Sequence, residues 1–249
     1  MVVVFVAGAC QVRTDVGVQV NEDGSGTVTV AITLDADAIA QAPNITDALR
    51  ADDLTKAGWT VTQNRQPDGS LVFQAVKRFA NPKDADKIFT EISGAGGPFR
   101  DFHITRSRSF ARTTTSFTGR IDFTNGLESF GDSELAQALD GKPLGEDLAA
   151  IEQRIGNTLD NVFQFRVAVR LPGEVESNAP GQAINGAVWQ PKLSDRTPAN
   201  LEAKGRSWRV GTLVGVAIGV AALFSLVVLL VFRLAVRSQN RRHTRSLST

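Results

Sequence analysis

The 249-residue chain contains only one cysteine and two histidines, and its formal net charge at pH 7 is only +1. A single cysteine excludes an intramolecular disulfide, so a folded domain must depend on its hydrophobic core. The scarcity of histidine argues against a zinc site, which needs three or four His, Cys or carboxylate ligands at workable spacings. A charge so close to zero gives no support to a nucleic-acid partner or to a site for acidic substrates.

The residue patterns that carry catalysis are also missing. His103 has no second histidine beside it that could act as a base, and no serine occupies a Gly-x-Ser-x-Gly elbow. The adjacent carboxylates Asp52 and Asp53 come at a predicted helix start, where they favour the helix dipole. The glycines of 94–97 follow a predicted helix, whereas phosphate-binding loops follow a strand. We therefore expect a protein that is not an enzyme, with no catalytic residue, cofactor or metal.

The most prominent feature present is the stretch 210–232, 23 residues without a charge. As a helix it would be about 34 Å long, enough for a hydrocarbon core of roughly 30 Å. The alternative is a buried helix of a soluble core, but such helices are usually shorter and keep a polar edge. Five arginines and no acidic residue follow it, and positive residues stay on the cytoplasmic side. We expect a single-pass transmembrane helix at 210–232 in the cell membrane, a basic cytoplasmic tail at 233–249 and an extracytoplasmic domain at 10–205.

Glycine recurs at every fourth position of this stretch, at Gly211, Gly215 and Gly219. Small residues at that spacing let two membrane helices approach closely. One interpretation is therefore a homodimer, or contact with another membrane protein. The other is that glycine is simply common in membrane helices.

The lone cysteine, Cys10, follows the apolar residues 1–9. Residues 6–10 read VAGAC and are similar to a bacterial lipobox, in which the cysteine becomes acylated and forms the new amino terminus. The basic part of a secretory signal is missing, so residues 1–9 are interpreted as a signal-peptide remnant. Cys10 could instead be an ordinary buried cysteine at the head of a strand. We favour lipidation, which would add a second membrane anchor.

The remaining periodicities predict an α+β fold: a mostly antiparallel, twisted sheet with helices on one face. Alternating apolar residues indicate a hairpin of strands at 12–20 and 28–34 around a turn at 21–26, and a strong strand at 163–171. A helix is expected to begin at Pro82 behind the N-cap Asn81. Further helices are predicted within 35–58, at 134–139 and at 146–159, and further strands from 59 and 71, within 102–123, at 187–189 and at 201–203.

Arginine and phenylalanine are interleaved between residues 99 and 123. Arg106, Arg108 and Arg112 share a parity along the predicted strands and would lie on one face. Guanidinium groups bind phosphate through paired hydrogen bonds, so these three are candidate contacts for anionic lipid headgroups. The alternative, which we favour, is a solvated outer face whose charges also prevent edge aggregation.

Several segments, in their order, resemble the LppM-like lipoproteins of actinobacteria. They are the lipobox-like 6–10, the hairpin 12–34, the LPGEV of 171–175 and the NGAVWQPKL of 185–193, followed by the terminal apolar stretch. The resemblance implies an α+β domain on the outer face of the plasma membrane that contacts envelope lipids or glycolipids. None of these motifs is catalytic.

Two functions therefore stay open. The first is a non-enzymatic envelope lipoprotein whose partners are membrane lipids or glycolipids. The second is a structural module that scaffolds, or signals to, another membrane protein. A hydrophobic groove between the 163–171 strand and the 151–159 helix would favour the first, and a closed core would favour the second.

Lipidation can be tested directly at Cys10. Mass spectrometry of the mature protein should find an amino terminus at Cys10 carrying a diacylglyceryl group, because the thiol is the acceptor. Cys10→Ser should lose that mass. A mature chain in which Cys10 is internal and unmodified would contradict the interpretation.

Overall fold

The computed structural model describes residues 11–41, 51–93, 97–124, 152–153, 157–208 and 218. The elements, in chain order, are β1 (Val12–Val20), β2 (Gly26–Leu34), α1 (Ala36–Gln41), α2 (Ala51–Lys56), β3 (Thr60–Arg65), β4 (Leu71–Phe79), α3 (Pro82–Ser93), β5 (Phe99–Arg108), β6 (Arg112–Ile121), α4 (Leu159–Val162), β7 (Phe163–Arg170), β8 (Glu174–Ser177), β9 (Gly181–Ala183), β10 (Gly186–Trp189) and β11 (Ala199–Trp208). The chain divides into a larger unit, 1–107 with 114–207, and a smaller unit, 108–113 with 208–249.

The strands form two sheets. One has seven strands in the order β3-β4-β2-β1-β7-β10-β9, and the other has four in the order β5-β6-β11-β8. Neighbours in the seven-stranded sheet are antiparallel, except that β1 and β7 run parallel. The predicted hairpin of β1 and β2 is confirmed, with Val12 opposite Leu34 and Val20 opposite Gly26.

The predicted fold class, one mostly antiparallel sheet with helices on one face and a C-terminal transmembrane helix, is wrong. The described residues form two sheets and few, short helices. A period of two shows which face of a strand is buried but not which sheet the strand joins. The fold class is therefore corrected to a two-sheet fold. No helix among the described residues is both long and apolar enough to cross a membrane.

Several predictions fall outside the described residues. They are Cys10 with the segment 1–9, the helix at 134–139, most of the helix at 146–159, the glycines Gly211, Gly215 and Gly219, the stretch 210–232 apart from Ile218, and the tail 233–249.

β1 lies at the centre of the larger sheet because both neighbours match its alternation. Val16, Val18 and Val20 are buried, whereas Gln19 between them is exposed. Val18 faces Val28 of β2 on one side and Val169 of β7 on the other. These three valines are 2% exposed or less. β-Branched side chains pack well on such a pleated surface, so β7, which is distant in sequence, shares one row of the core with the β1–β2 hairpin.

Helix α3 connects the larger sheet to the smaller one. It begins at Pro82, as predicted, and Asn81 Oδ1 accepts a hydrogen bond of 3.2 Å from the backbone N–H of Asp84. Phe89, on its buried face, makes edge contacts with Phe102 of β5 and Phe117 of β6, at centroid distances of 5.7 and 6.2 Å. Such edge-to-face pairs each add about 0.5–1.5 kcal/mol beyond the area they bury. Both sheets and the helix therefore contribute to one hydrophobic core.

Three turns share one side-chain arrangement. An aspartate carboxylate accepts hydrogen bonds from the backbone N–H and the hydroxyl of a residue two positions later: Asp23 with Ser25, Asp68 with Ser70 and Asp122 with Thr124. The hydroxyl bond, followed by the backbone bond, lowers the pKa of each carboxyl below its usual 3.8. Because the folded-state pKa is lowered, this contribution to stability is present above the unfolded pKa. It is lost as the pH falls through the folded value.

The shared core predicts a large effect of truncating Phe117, which is fully buried. Phe117→Ala should lower the free energy of unfolding by about 3–5 kcal/mol, because it removes buried surface and leaves a cavity. Phe110→Ala is the matched control, since Phe110 is 66% exposed, and it should change the free energy of unfolding by less than about 0.5 kcal/mol. Urea unfolding followed by circular dichroism measures both. Equal effects of the two substitutions would contradict the packing.

Candidate functional site

An apolar groove of about 440 Å³ opens over the inner face of the seven-stranded sheet, the face that α3 covers in part. Its floor comes from β1, β2 and β4, and its walls come from α2 with the turn after it, the end of α3 and the first residue of β5. The lining residues are Thr14, Val16, Val30, Ile32, Asp53, Leu54, Ala57, Trp59, Phe73, Ala75, Glu91, Ile92 and Phe99.

The register of the sheet explains the floor. Val30 of β2 lies opposite Val16 and Ala75. Ile32 lies opposite Thr14 and Phe73 two residues farther along the same face. Residues i and i+2 of a strand point to the same side, so these two rows form a continuous, almost entirely hydrocarbon surface.

The groove leaves apolar side chains partly open to solvent. Val30, Ile32, Leu54 of α2 and Ile92 of α3 are only half-buried, although they flank the fully buried core. Concave apolar sites with few polar groups are typical of small-molecule pockets, and the volume lies within the usual range of about 300–1,000 Å³. A hydrocarbon ligand would gain about 25 cal/mol for each Å² of apolar surface removed from water.

A polar cluster of Trp59, Lys77 and Glu91 stands at one wall of the groove. Lys77 Nζ donates to both carboxylate oxygens of Glu91, at 2.8 and 2.7 Å, and to the carbonyl oxygen of Ala57 at 2.7 Å. Trp59 Nε1 donates to Glu91 Oε2 at 3.1 Å, and Lys77 Nζ lies 5.7 Å from the Trp59 ring centroid. The cluster therefore connects β4, the turn after α2 and the end of α3. It also pairs the charge of Glu91, which is partly exposed, with that of Lys77.

A second, polar cleft of about 550 Å³ lies beside β7 and α4. Its charged side chains include Arg13, Asp15, Arg166 and Lys192, and Arg166 Nη1 lies 3.4 Å from Asp15 Oδ1. A hydrophobic groove between the 163–171 strand and the 151–159 helix is the feature expected to favour lipid binding, but most of that helix lies outside the described residues. The apolar groove described above lies over β1, β2 and β4.

The three arginines proposed from the sequence to contact lipid or anions occupy different surroundings, and none lines the apolar groove. In the larger unit, Arg106 Nη2 donates to the carbonyl oxygen of Glu22 in the turn between β1 and β2. In the smaller unit, Arg108 is exposed. There the guanidinium carbon of Arg112 lies 3.9 Å from the centroid of the Trp208 ring. Their contact with a ligand stays a prediction.

Sequence reasoning missed every residue of the apolar groove as a site residue. Most of its apolar residues fall within predicted strands or helices, but the groove combines residues from 14 to 99. The only local signal is α2, whose Leu54 is followed by Gly58 and Trp59, a short helix ending against a strand. Among the described residues, no three His, Cys, Asp or Glu side chains are placed to hold a metal ion.

Neither a family model nor a curated protein sequence matches the chain. Among solved structures, the folded domain of the Mycobacterium tuberculosis LppM protein, determined by NMR, is similar with a TM-score of 0.40 and 12% identity. The match covers 81% of this chain and 93% of that chain. A likeness of this degree does not show membership of the LppM-like family, nor does it show a function.

The polar cluster predicts that Glu91 holds the groove wall in place. Glu91→Ala removes the acceptor of two donors and leaves Lys77 half-buried without its carboxylate. We expect a loss of about 1–3 kcal/mol in the free energy of unfolding. The indole N–H of Trp59 should also shift and exchange faster with solvent by NMR. Glu174→Ala, an exposed glutamate of β8, should leave both unchanged; an unperturbed Trp59 resonance in Glu91→Ala would disprove the cluster.

Proposed function

We propose that the larger unit is an extracytoplasmic envelope domain that binds the hydrocarbon chain of an envelope lipid or glycolipid in the apolar groove, without catalysing a reaction. The observation that carries the proposal is the row of half-buried apolar side chains, Val30, Ile32, Leu54 and Ile92, around a cavity of about 440 Å³. The envelope location is supported by the lipobox-like residues 6–10.

The chemistry of the lining favours a hydrocarbon over a polar ligand. Thr14 carries the single hydroxyl among the lining side chains. The carboxylate of Glu91 already accepts from Lys77 and Trp59. A polar ligand body would lose its hydrogen bonds to water and regain few in the groove, which costs about 1–3 kcal/mol for each unpaired group. An acyl chain has no such groups to desolvate.

The lining also indicates which part of a lipid enters. The charged side chains of the lining, Asp53 and Glu91, belong to α2 and to the end of α3 and are both at least partly exposed, whereas the floor residues Val16, Phe73 and Ala75 are buried and apolar. A chain would therefore lie along the sheet and its headgroup would remain in water. The carboxylates of Asp53 and Glu91 at the walls would repel a negative charge. A lipid whose anionic group lay directly at the mouth of the groove would therefore bind less well.

The second function considered, a scaffolding or signalling module, relied on a glycine-faced membrane helix. No specific observation among the described residues favours it over ligand binding.

Binding should be measured on the full-length protein with cis-parinaric acid as a fluorescent probe, and with native mass spectrometry for lipids that copurify. Affinity for saturated fatty acids in competition should rise by about fourfold for each added methylene, or about 0.8 kcal/mol, until the groove is full. The absence of saturable probe binding, or an affinity independent of chain length, would overturn the proposal.

Adjacent residues on opposite faces of β2 give a matched pair of variants. Ile32→Asp places a charge on the groove floor and should weaken probe binding at least tenfold, because the carboxylate loses solvation when the chain covers it. Thr33→Asp, on the other face of the sheet, should bind as the wild type does. Ala57→Phe fills the groove at an exposed position and serves if Ile32→Asp does not fold. Unchanged binding in a folded groove variant would place the ligand elsewhere.

A further inference from the structure

The smaller unit, whose described residues are 108–113, 208 and 218, brings two exposed aromatic side chains and two exposed arginines together in one short segment of structure. Phe110 lies in the connection between β5 and β6 and is 66% exposed, and Trp208, at the end of β11, is 57% exposed. Arg108 and Arg112 flank Phe110, and both are exposed. We refer to Arg108, Phe110, Arg112 and Trp208 as the arginine–aromatic tip.

Local contacts order the tip. The backbone N–H of Ser109 donates to the carbonyl oxygen of Arg112 at 2.8 Å, which closes the connection around Phe110. The guanidinium of Arg112 lies 3.9 Å from the Trp208 ring centroid, well within the range of a cation–π contact. Both Phe110 and Trp208 are exposed, and the contact with Arg112 holds the Trp208 ring in place, which lowers the entropy cost of binding a partner.

The charge of the segment has one sign. No Asp or Glu occurs between residues 102 and 121, while Arg106, Arg108, Arg112 and Arg120 do. Neither Arg108 nor Arg112 has an ion-pair partner among the described residues. A partner that supplies closely spaced negative charge therefore complements this surface without displacing an internal carboxylate.

We propose that the arginine–aromatic tip binds the surface of an anionic phospholipid bilayer. Phe110 and Trp208 would enter the boundary between headgroups and acyl chains, where aromatic side chains are favoured. Arg108 and Arg112 would contact the phosphates, whose geometry suits the planar guanidinium. The proposal does not depend on the apolar groove, which binds a single chain inside the larger unit.

The size of the tip favours a bilayer over a protein partner. Two aromatic side chains bury at most about 500 Å² together, whereas a specific protein interface buries about 800 Å² on each side. A bilayer requires no matching shape, and each arginine near an anionic surface gains about 1 kcal/mol.

The test uses full-length protein and vesicles of phosphatidylcholine with increasing fractions of phosphatidylglycerol, some lipids carrying bromine on the acyl chains. Bromine quenches a nearby indole, and Trp59 lines the apolar groove whereas Trp189 is only 5% exposed. The measurement and its Trp208 variant are therefore also made in Ile32→Asp, whose groove should not hold a brominated chain, so that the remaining quenching reports on Trp208. We expect quenching that rises with the anionic fraction and falls with ionic strength. In the Ile32→Asp protein it should disappear with Trp208→Phe. Equal quenching with pure phosphatidylcholine, or quenching that persists with Trp208→Phe in the Ile32→Asp protein, would overturn the proposal.

Substitutions then separate the tip from other surfaces. Arg108→Gln and Arg112→Gln should each weaken vesicle binding, raising the lipid concentration at half-maximal quenching by about fivefold. Phe110→Ser should weaken it by at least about fivefold, since it removes most of an aromatic side chain from the interface. Ile184→Ser is the control, because Ile184 is 91% exposed outside the tip, and it should have no effect. If Phe110→Ser binds vesicles normally but abolishes self-association in analytical ultracentrifugation, the tip contacts a second copy instead and the proposal is wrong.

The groove variant Ile32→Asp distinguishes this proposal from the proposed function. It should lose fatty-acid binding and keep the quenching by vesicles. Loss of vesicle quenching in folded Ile32→Asp would overturn the assignment of bilayer binding to the tip.

Discussion

The parallel pairing of β1 with β7 is the contact on which the larger sheet depends. It joins two strands far apart in sequence, and Asp15 and Arg166 of the two strands lie 151 positions apart yet 3.4 Å from each other. β1 pairs with β2 through a local hairpin, so half of the sheet can form early from short-range contacts. The other strands, β7, β10 and β9, are hydrogen-bonded to the rest of this sheet through the pairing of β7 with β1. Val18 lies between Val28 and Val169 and carries the packing on both sides.

The position of α3 explains why one part of the inner face of the larger sheet is covered and another part is open to solvent. Phe89 seals the core against Phe102 and Phe117 of the smaller sheet. Toward its end the helix is held by Glu91, which binds Lys77 of β4. This ion pair holds the end of the helix at the wall of the groove. The groove therefore depends on how α3 is anchored. Apolar contacts hold the helix along its length, and a polar contact holds its end.

Local elements could be predicted from the sequence, but their assembly could not. The β1–β2 hairpin, the start of α3 behind Asn81 and the strand at 163–170 follow from alternation and capping, which are properties of neighbouring residues. The parallel pair, the second sheet and the three- and four-residue strands β8 and β9 depend on contacts between distant segments. The apolar groove was missed for the same reason. Its floor pairs Ile32 with Phe73, a relation that no single periodic stretch contains.

Arg106, Arg108 and Arg112 were grouped in the sequence because they share a parity along the predicted strands. The structure distinguishes them by the contact that each would have to give up in order to bind an anion. Arg106 already donates to a turn carbonyl. Arg120 and Arg166 likewise lie 3.3 and 3.4 Å from the carboxylates of Asp101 and Asp15. An arginine with an internal partner must give up that contact to bind phosphate, and leaving a carboxylate unpaired has a cost of its own. Arg108 and Arg112 have no such carboxylate among the described residues, so their binding to phosphate would leave no carboxylate unpaired. The same residue type therefore contacts the fold itself at Arg106 and is available for an outside partner at Arg108, two residues later in β5.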